Sequence, residues 1–100
     1  ELIKADFGAI EDLSKAIGLD SAYAEAYYQR ALSLYHLKEY RNAIIDFNKA
    51  IQFNPQYADA YYYRGLTRGL LNEVNPACVD FIKAAALGNK EAVDFLEDCK

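Results

Sequence analysis

The chain carries the stretch AEAYYQRA at residues 24–31, and the related stretch ADAYYYRG follows at residues 58–65. The offset between them is 34 residues, and 13 of the 34 positions in residues 24–57 are identical to their counterparts in residues 58–91. A truncated earlier copy is recognisable at residues 9–23. An internal repeat of this length indicates a solenoid, because one repeat can bury its apolar face only against the next one.

Apolar residues within each copy recur at i, i+4 and i+7, which is the spacing that places side chains on one face of an α-helix. The two stripes of the central copy are Tyr27, Ala31 and Leu34, then Ala43, Phe47 and Ala50. Small alanines let two facing helices approach closely while the aromatic rings fill the remaining volume. The pattern predicts helices at residues 7–18, 23–37, 41–53, 58–71, 76–87 and 90–99, and no strands.

Capping residues locate several of the predicted helix ends. Asn75 followed by Pro76 predicts a helix start, because Asn caps a helix and Pro is tolerated in the first turn. Gly88 can adopt the left-handed conformation that closes a helix, and Asn89 can cap the next one. The last predicted helix is acidic over most of its surface, so we interpret residues 89–100 as the polar cap that a solenoid needs.

These positions resemble the sequence pattern of the tetratricopeptide repeat (TPR) family. The matching residues of the central copy are Tyr27, Ala31, Leu34, Ala43, Phe47, Ala50 and Pro55. The resemblance implies a single all-α domain, a right-handed superhelix of antiparallel helix pairs with about two and a half repeats. We divide it into a partial repeat at residues 1–22, repeats at 23–56 and 57–88, and a C-terminal capping helix at 89–100. The chain has no Met and begins inside a repeat, which suggests a piece of a longer protein.

Composition restricts the classes of function. A net charge of -4 with scattered basic residues argues against nucleic acid and membrane partners, which recruit clustered Lys and Arg. Cys78 and Cys99 lack a metal-ligand spacing, and we expect them to be unpaired in a reducing compartment, which favours a cytoplasmic location. His36 is the only histidine and has no nucleophile or acid spaced near it. The sequence therefore predicts no enzyme, no metal site and no cofactor.

The resemblance also implies a groove, because TPR domains line their concave face with the first helix of each pair. The candidate groove residues are Tyr28, Gln29, Leu32, Tyr35, Tyr62, Tyr63 and Leu66. Tyrosine combines rigid apolar area with a hydroxyl group, which suits a binding surface. The alternative is that these rings pack between neighbouring repeats and meet no ligand.

The predicted function is that of a scaffold or adaptor, a protein interaction module that holds a peptide or helical segment of another protein. TPR domains that grip acidic chaperone tails use Lys, Asn and Arg side chains, which the corresponding positions here do not supply. Glu25 and Asp59 lie at the predicted groove mouth, so we expect a neutral or basic, partly apolar ligand and a monomeric module. The alternative function is a structural spacer that self-associates end to end through an exposed apolar edge at Leu2, Ile3 and Phe7.

Two arginines, Arg30 and Arg64, stand where most family members carry an apolar residue. Each follows an aspartate by 18 residues, Asp12 and Asp46 respectively. A charge on a packed helix face must be paired, because an unpaired one costs several kcal/mol. We therefore predict the ion pairs Asp12 with Arg30 and Asp46 with Arg64, each joining one repeat to the next. Arg68 either reaches the surface along its aliphatic stem or presents its charge at the groove edge.

Overall fold

The computed structural model describes residues 2–20 and 22–99, and this part of the chain contains helices and no strands. The helices are α1 (Leu2–Leu19), α2 (Ala24–His36), α3 (Tyr40–Phe53), α4 (Ala58–Leu70), α5 (Val74–Ala86) and α6 (Lys90–Val93), followed by a 3₁₀ turn at Glu97–Cys99. Helices that are consecutive in sequence pack on each other, most extensively α2 on α3 and α4 on α5. The predicted all-α solenoid is confirmed.

Helices α2, α3, α4 and α5 lie within two residues of their predicted positions, whereas the two terminal helices differ by more. α1 already begins at Leu2, before its predicted start. α5 begins at Val74 with Glu73 as its N-cap, so the predicted cap at Asn75 is wrong. Pro76 is then the third residue of the first turn, where a missing N–H group leaves no hydrogen bond unmade. α6 is only four residues long, so the last predicted helix is interrupted by a turn at residues 94–96 before the 3₁₀ turn at Glu97–Cys99.

One type of turn closes α2, α4 and α5. The residue after the C-cap has a positive φ in each case, 63° at Lys38, 63° at Asn72 and 104° at Gly88. The next N–H group donates to a carbonyl five residues earlier at 2.8–2.9 Å, which satisfies an acceptor at the helix end. The predicted role of Gly88 is confirmed. The side chain of Asn89 accepts a hydrogen bond from the Ala92 amide at 2.8 Å, so it caps α6 as predicted.

Alanines on the facing sides of the helices build the core. Ala31, Ala43 and Ala50 are fully buried, which brings α2 close to α3, and Phe47 fills the space between them. α5 repeats this arrangement with Ala77, Phe81 and Ala84. No side chain makes a capping hydrogen bond at the N-terminus of α2, α3, α4 or α5. Packing, more than capping, therefore holds these helices.

A disulfide ties the C-terminal segment to α5. Cys78 and Cys99 are bonded, with a Cα–Cα distance of 5.5 Å, so the prediction of unpaired cysteines is wrong. We expected a cytoplasmic location because we expected free thiols, so that expectation no longer has support. The two cysteines meet because the chain turns after Val93 and runs back along α5. Phe95 stacks on Phe81 there with ring centroids 4.6 Å apart, and Cys99 comes within reach of Cys78.

Candidate functional site

The two arginines of the first helices are held by aspartates of their own repeats. Arg30 donates from Nε and Nη2 to the two carboxylate oxygens of Asp46, at 2.6 and 2.8 Å. Arg64 makes the same bidentate contact with Asp80, at 3.0 and 2.7 Å. The predicted pairs of Asp12 with Arg30 and of Asp46 with Arg64 are therefore wrong. The reason is that the Asp-bearing face of each second helix packs on the first helix that precedes it.

A further contact of each arginine crosses to the preceding repeat. Arg30 Nη1 donates to Ser14 Oγ at 3.2 Å, and Arg64 Nη1 donates to Asn48 Oδ1 at 2.9 Å. A hydroxyl and an amide thus make the link between repeats that the sequence assigned to carboxylates. Arg68 donates from Nη1 to Asp80 at 2.9 Å, so neither of the two positions considered for it is correct.

Three of the candidate tyrosines meet in one pocket of about 200 Å³, the tyrosine pocket. Its lining residues are Tyr28, Asp59, Tyr62, Tyr63, Asn89 and Glu91. The Tyr28 side chain is only 7% exposed and its ring lies 4.7 Å from that of Tyr57, so it is mainly a packing residue and not the solvated ring that we predicted. Tyr62 and Tyr63 are partly exposed.

Burial raises the pKa of two hydroxyl groups in this pocket, those of Tyr28 and Tyr62, and nearby charges add to the effect. Burial, followed by the nearby Asp59 carboxylate, raises the pKa of Tyr28. Burial also raises the pKa of Tyr62, with a smaller contribution from Glu91. Asn89 Nδ2 donates to one oxygen of Asp59 at 2.9 Å and so fixes that carboxylate at the pocket wall. The pocket therefore presents phenol groups and two carboxylates, and no basic side chain lines it.

A second cavity, the apolar pocket, has a volume of about 330 Å³. Its walls include Tyr35, Leu66, Leu70, Val74, Phe81, Phe95 and the disulfide. Tyr35 and Leu66 are the two candidate groove residues that reach it. Gly69 of α4 also lines it, and a Cβ atom added there would meet no atom within 4 Å. This glycine leaves the pocket open on the side of α4.

Ring contacts show that the two pockets are neighbours. The Tyr63 ring lies 6.2 Å from Tyr28 and 5.9 Å from Tyr35, so it links one pocket to the other. Tyr62 of the tyrosine pocket packs on Phe95 of the apolar pocket at 6.1 Å. Both pockets therefore belong to one surface, which α2, α4, α5 and the C-terminal segment form together.

Sequence reasoning selected two residues that line neither pocket and missed part of the site. Gln29 is exposed, and Leu32 packs against the core. The contribution of Phe95 and of the disulfide was missed. Phe95 lies 34 residues after Tyr61, so the period of the repeat was a signal that could have located it.

The remaining candidates lie apart from these pockets. Phe7 is 60% exposed, as expected for an apolar edge, whereas Leu2 and Ile3 lie outside the part whose side chains are described. His36 is exposed, and its Nδ1 atom lies 3.5 Å from Asp6 Oδ1. Within the described residues, no group of three or more His, Cys, Asp or Glu side chains could hold a metal ion. None of the helices in that part is long and apolar enough to cross a lipid bilayer.

The model of the tetratricopeptide repeat family matches residues 24–57. The first TPR of Spaghetti (RPAP3), bound to the HSP90 peptide SRMEEVD, is 28% identical with a TM-score of 0.89, and the match covers 95% of this chain and 77% of that one. The second TPR domain of human RPAP3, in complex with the HSP70 peptide SGPTIEEVD, is 33% identical with a TM-score of 0.82 and coverages of 89% and 76%. The Arabidopsis OM64 TPR domain is 29% identical with a TM-score of 0.88 and coverages of 97% and 84%. No curated protein sequence matches. The chain belongs to the tetratricopeptide repeat family.

Proposed function

We propose that this chain is an adaptor module that binds a peptide segment of another protein across the surface formed by α2, α4, α5 and the C-terminal segment, hereafter the groove. The family supports this function, since two structurally similar TPR domains hold an HSP90 peptide and an HSP70 peptide. The observation that carries the proposal is the apolar pocket. It is a cavity of about 330 Å³ that opens beside the partly exposed candidate residues Tyr35 and Leu66.

The apolar pocket suits one large apolar side chain of the ligand. Binding sites are typically concave, apolar cavities with a few polar groups at their margin, and buried apolar anchors dominate the energy of peptide recognition. Phe81 and Phe95 supply aromatic walls, while Asp98 is the one charged residue in the lining. A ligand residue such as Leu, Met or Phe would bury its side chain here.

The tyrosine pocket suits a basic side chain of the same ligand. A Lys or Arg entering it would meet the carboxylates of Asp59 and Glu91 together with the rings of Tyr62 and Tyr63. Carboxylates and aromatic faces both attract a cation. The acidic residues of a peptide such as SRMEEVD would be repelled at this pocket, because like charges across an interface are unfavourable. The expected ligand is therefore neutral or basic, with one apolar anchor.

A selection from a random peptide library displayed on phage tests this function. We expect the selected sequences to share a large apolar residue with a Lys or Arg nearby, and to contain few acidic residues. Fluorescence anisotropy then compares a selected peptide with SRMEEVD. We expect affinities in the micromolar range for the selected peptide, as is usual for small and transient interfaces, and at least tenfold weaker binding of SRMEEVD, roughly 1.4 kcal/mol. Selection of acidic C-terminal sequences, or tighter binding of SRMEEVD, would contradict the proposal.

A further inference from the structure

The C-terminal segment, residues 94–99, is attached to α5 by the disulfide and by apolar contacts. Its backbone amides donate to carbonyls three residues earlier, at 3.1–3.3 Å, so these hydrogen bonds close local turns and do not reach α5. Cys99 is bonded to Cys78 of α5, and Phe95 and Leu96 pack against the apolar core beside it. Both of these apolar side chains remain partly exposed. The covalent bond is therefore the strongest attachment of the segment to α5.

One repeat earlier, a full helix occupies the corresponding place. The Tyr63 ring of α4 stacks on Phe47 of α3 with an interplanar angle of 13°, and the Phe95 ring stacks on Phe81 of α5 at 14°. α4 is a helix of 13 residues, whereas the segment that carries Phe95 is a run of short turns. A short segment makes fewer contacts to offset the entropy that is lost when its backbone is ordered. The position of Phe95 therefore depends on the disulfide, whereas Tyr63 is fixed by its helix.

The segment also forms a wall of the apolar pocket. Phe95, Asp98 and Cys99 line this pocket from the segment, and Leu66 lines it from α4. Cys78 and Cys99 are both partly exposed and both line the cavity, so a small thiol can reach the bond between them. The bond that fixes the segment is therefore accessible to chemical reduction at the pocket itself.

We propose that this disulfide is a redox switch that determines whether the apolar pocket is complete. In the oxidised protein the pocket has all its walls, and a dithiol reductant releases the C-terminal segment and removes one of them. A thiolate of the reductant attacks one sulfur of the disulfide, and the other cysteine leaves as a thiolate that takes up a proton. The second thiol of the reductant then displaces the first cysteine. Two electrons and two protons thus pass to Cys78 and Cys99, and the reductant becomes a disulfide.

Release of the segment should weaken ligand binding, and this consequence rests on the proposed function. A ligand side chain in the pocket would lose Phe95 as a wall, and tight binding would require the segment to be ordered again. When only a fraction of the molecules is competent to bind, the apparent affinity falls by that fraction. We expect the segment to be in place in about one molecule in ten after reduction, which corresponds to about tenfold weaker binding.

NMR spectroscopy tests the switch without a ligand. The centroids of the Phe95 and Phe81 rings are 4.6 Å apart, so the oxidised protein should show a strong NOE between them. We expect this NOE to fall about tenfold after dithiothreitol is added, because the rings then meet in about one molecule in ten. The NOE between Tyr28 and Tyr57, whose centroids are 4.7 Å apart, is the matched control and should persist. An unchanged NOE between the phenylalanines would overturn the inference. Loss of both NOEs would also overturn it, because the whole domain would then have unfolded.

Fluorescence anisotropy with a library-selected peptide measures the consequence for binding. The oxidised wild type should bind about tenfold more tightly than the reduced one. A variant with both Cys78→Ser and Cys99→Ser should bind as weakly as the reduced wild type and should not respond to dithiothreitol. Equal affinities of the oxidised and reduced wild type, or a response of the double variant, would overturn the switch. If the oxidised protein binds no peptide, the proposed function is contradicted, while loss of the phenylalanine NOE alone still supports the switch.

Discussion

Removal of the Asp80 carboxylate is expected to be strongly destabilising. The Asp80 side chain is 1% exposed and accepts three hydrogen bonds, from Arg64 Nε, Arg64 Nη2 and Arg68 Nη1 at 3.0, 2.7 and 2.9 Å. Asp80→Ala leaves two guanidinium groups, 16% and 22% exposed, without a counter-charge. Breaking a buried pair in this way costs about 3–5 kcal/mol of folding free energy. Because Asp80 also binds a second arginine, we expect the cost of Asp80→Ala to lie at the upper end of that range.

Two other variants give costs with which the destabilisation by Asp80→Ala can be compared. Asp46→Ala removes a carboxylate that accepts hydrogen bonds from Arg30 alone, so we expect a cost of about 3 kcal/mol. Arg68→Leu introduces the residue that occupies the equivalent position, Leu34, and leaves the Arg64 contact with Asp80 intact. We expect it to cost no more than about 2 kcal/mol, the value of one hydrogen bond between charged groups.

Urea unfolding followed by circular dichroism at 222 nm measures these differences in free energy. Stabilities of small domains are about 5–15 kcal/mol, so the experiment is best done at low temperature with the disulfide intact. The expected order of destabilisation is Asp80→Ala, then Asp46→Ala, then Arg68→Leu. A cost below about 1 kcal/mol for Asp80→Ala, or a larger cost for Asp46→Ala, would refute the argument that desolvated charge dominates here.

Three further predictions concern the disulfide, the tyrosines and one turn. Cys99→Ser should lower the free energy of unfolding by about 3 kcal/mol in urea titrations, because the disulfide closes a loop of 21 residues in the unfolded chain. Equal stability of the variant and the oxidised wild type would contradict this prediction. Burial, with smaller contributions from acidic neighbours, raises the pKa of Tyr57 to about 12, and burial also raises that of Tyr28. The neutral phenols therefore stabilise the folded state below the unfolded pKa of about 10, and this contribution is lost as the pH rises toward 12. Absorbance at 295 nm should show these tyrosines titrating after the others, and a single transition near pH 10 in the folded protein would be inconsistent with their burial. Lys38→Gly should raise the free energy of unfolding by about 1 kcal/mol, because φ at this residue is 63°, a conformation that glycine adopts without strain. Thermal unfolding measures this difference, and a lower melting temperature of the variant would show that the lysine is not strained there.

The fold could be predicted because the residues that determine it recur at a regular spacing in the sequence. A 34-residue offset and alanines at helical spacing indicate paired helices, and the residues that carry the pattern, such as Ala31, Ala43 and Phe47, form the core. The partners of the arginines were predicted wrongly, since sequence spacing identifies a repeated contact without distinguishing the two helices that flank each aspartate. Asp46 could face the arginine before it or the one after it, and only packing decides that Arg30 is its partner.

The candidate site was predicted only in part, for a different reason. Tyr35 and Leu66 follow from the helical stripe beside the core, but the wall opposite them depends on where the C-terminal segment turns. That turn is set by the stacking of Phe95 on Phe81 and by the bond from Cys99 to α5, which are contacts between distant parts of the sequence. Likewise, Tyr28 lies on the predicted stripe, yet the ring of Tyr57 from the following turn covers it.

Gly69→Leu tests the central claim, that the apolar pocket receives a side chain of the partner. Gly69 lines the pocket and has room for a Cβ atom, so a leucine there fills the cavity, and loss of a helical glycine should add up to about 1 kcal/mol of stability. Gly8→Leu makes the same change on α1, also with open space around it and away from the groove. The measurement is the affinity of a library-selected peptide for the wild type and both variants, by fluorescence anisotropy. The account predicts at least tenfold weaker binding for Gly69→Leu alone, about 1.4 kcal/mol, with no loss of melting temperature. Unchanged affinity in Gly69→Leu would contradict it.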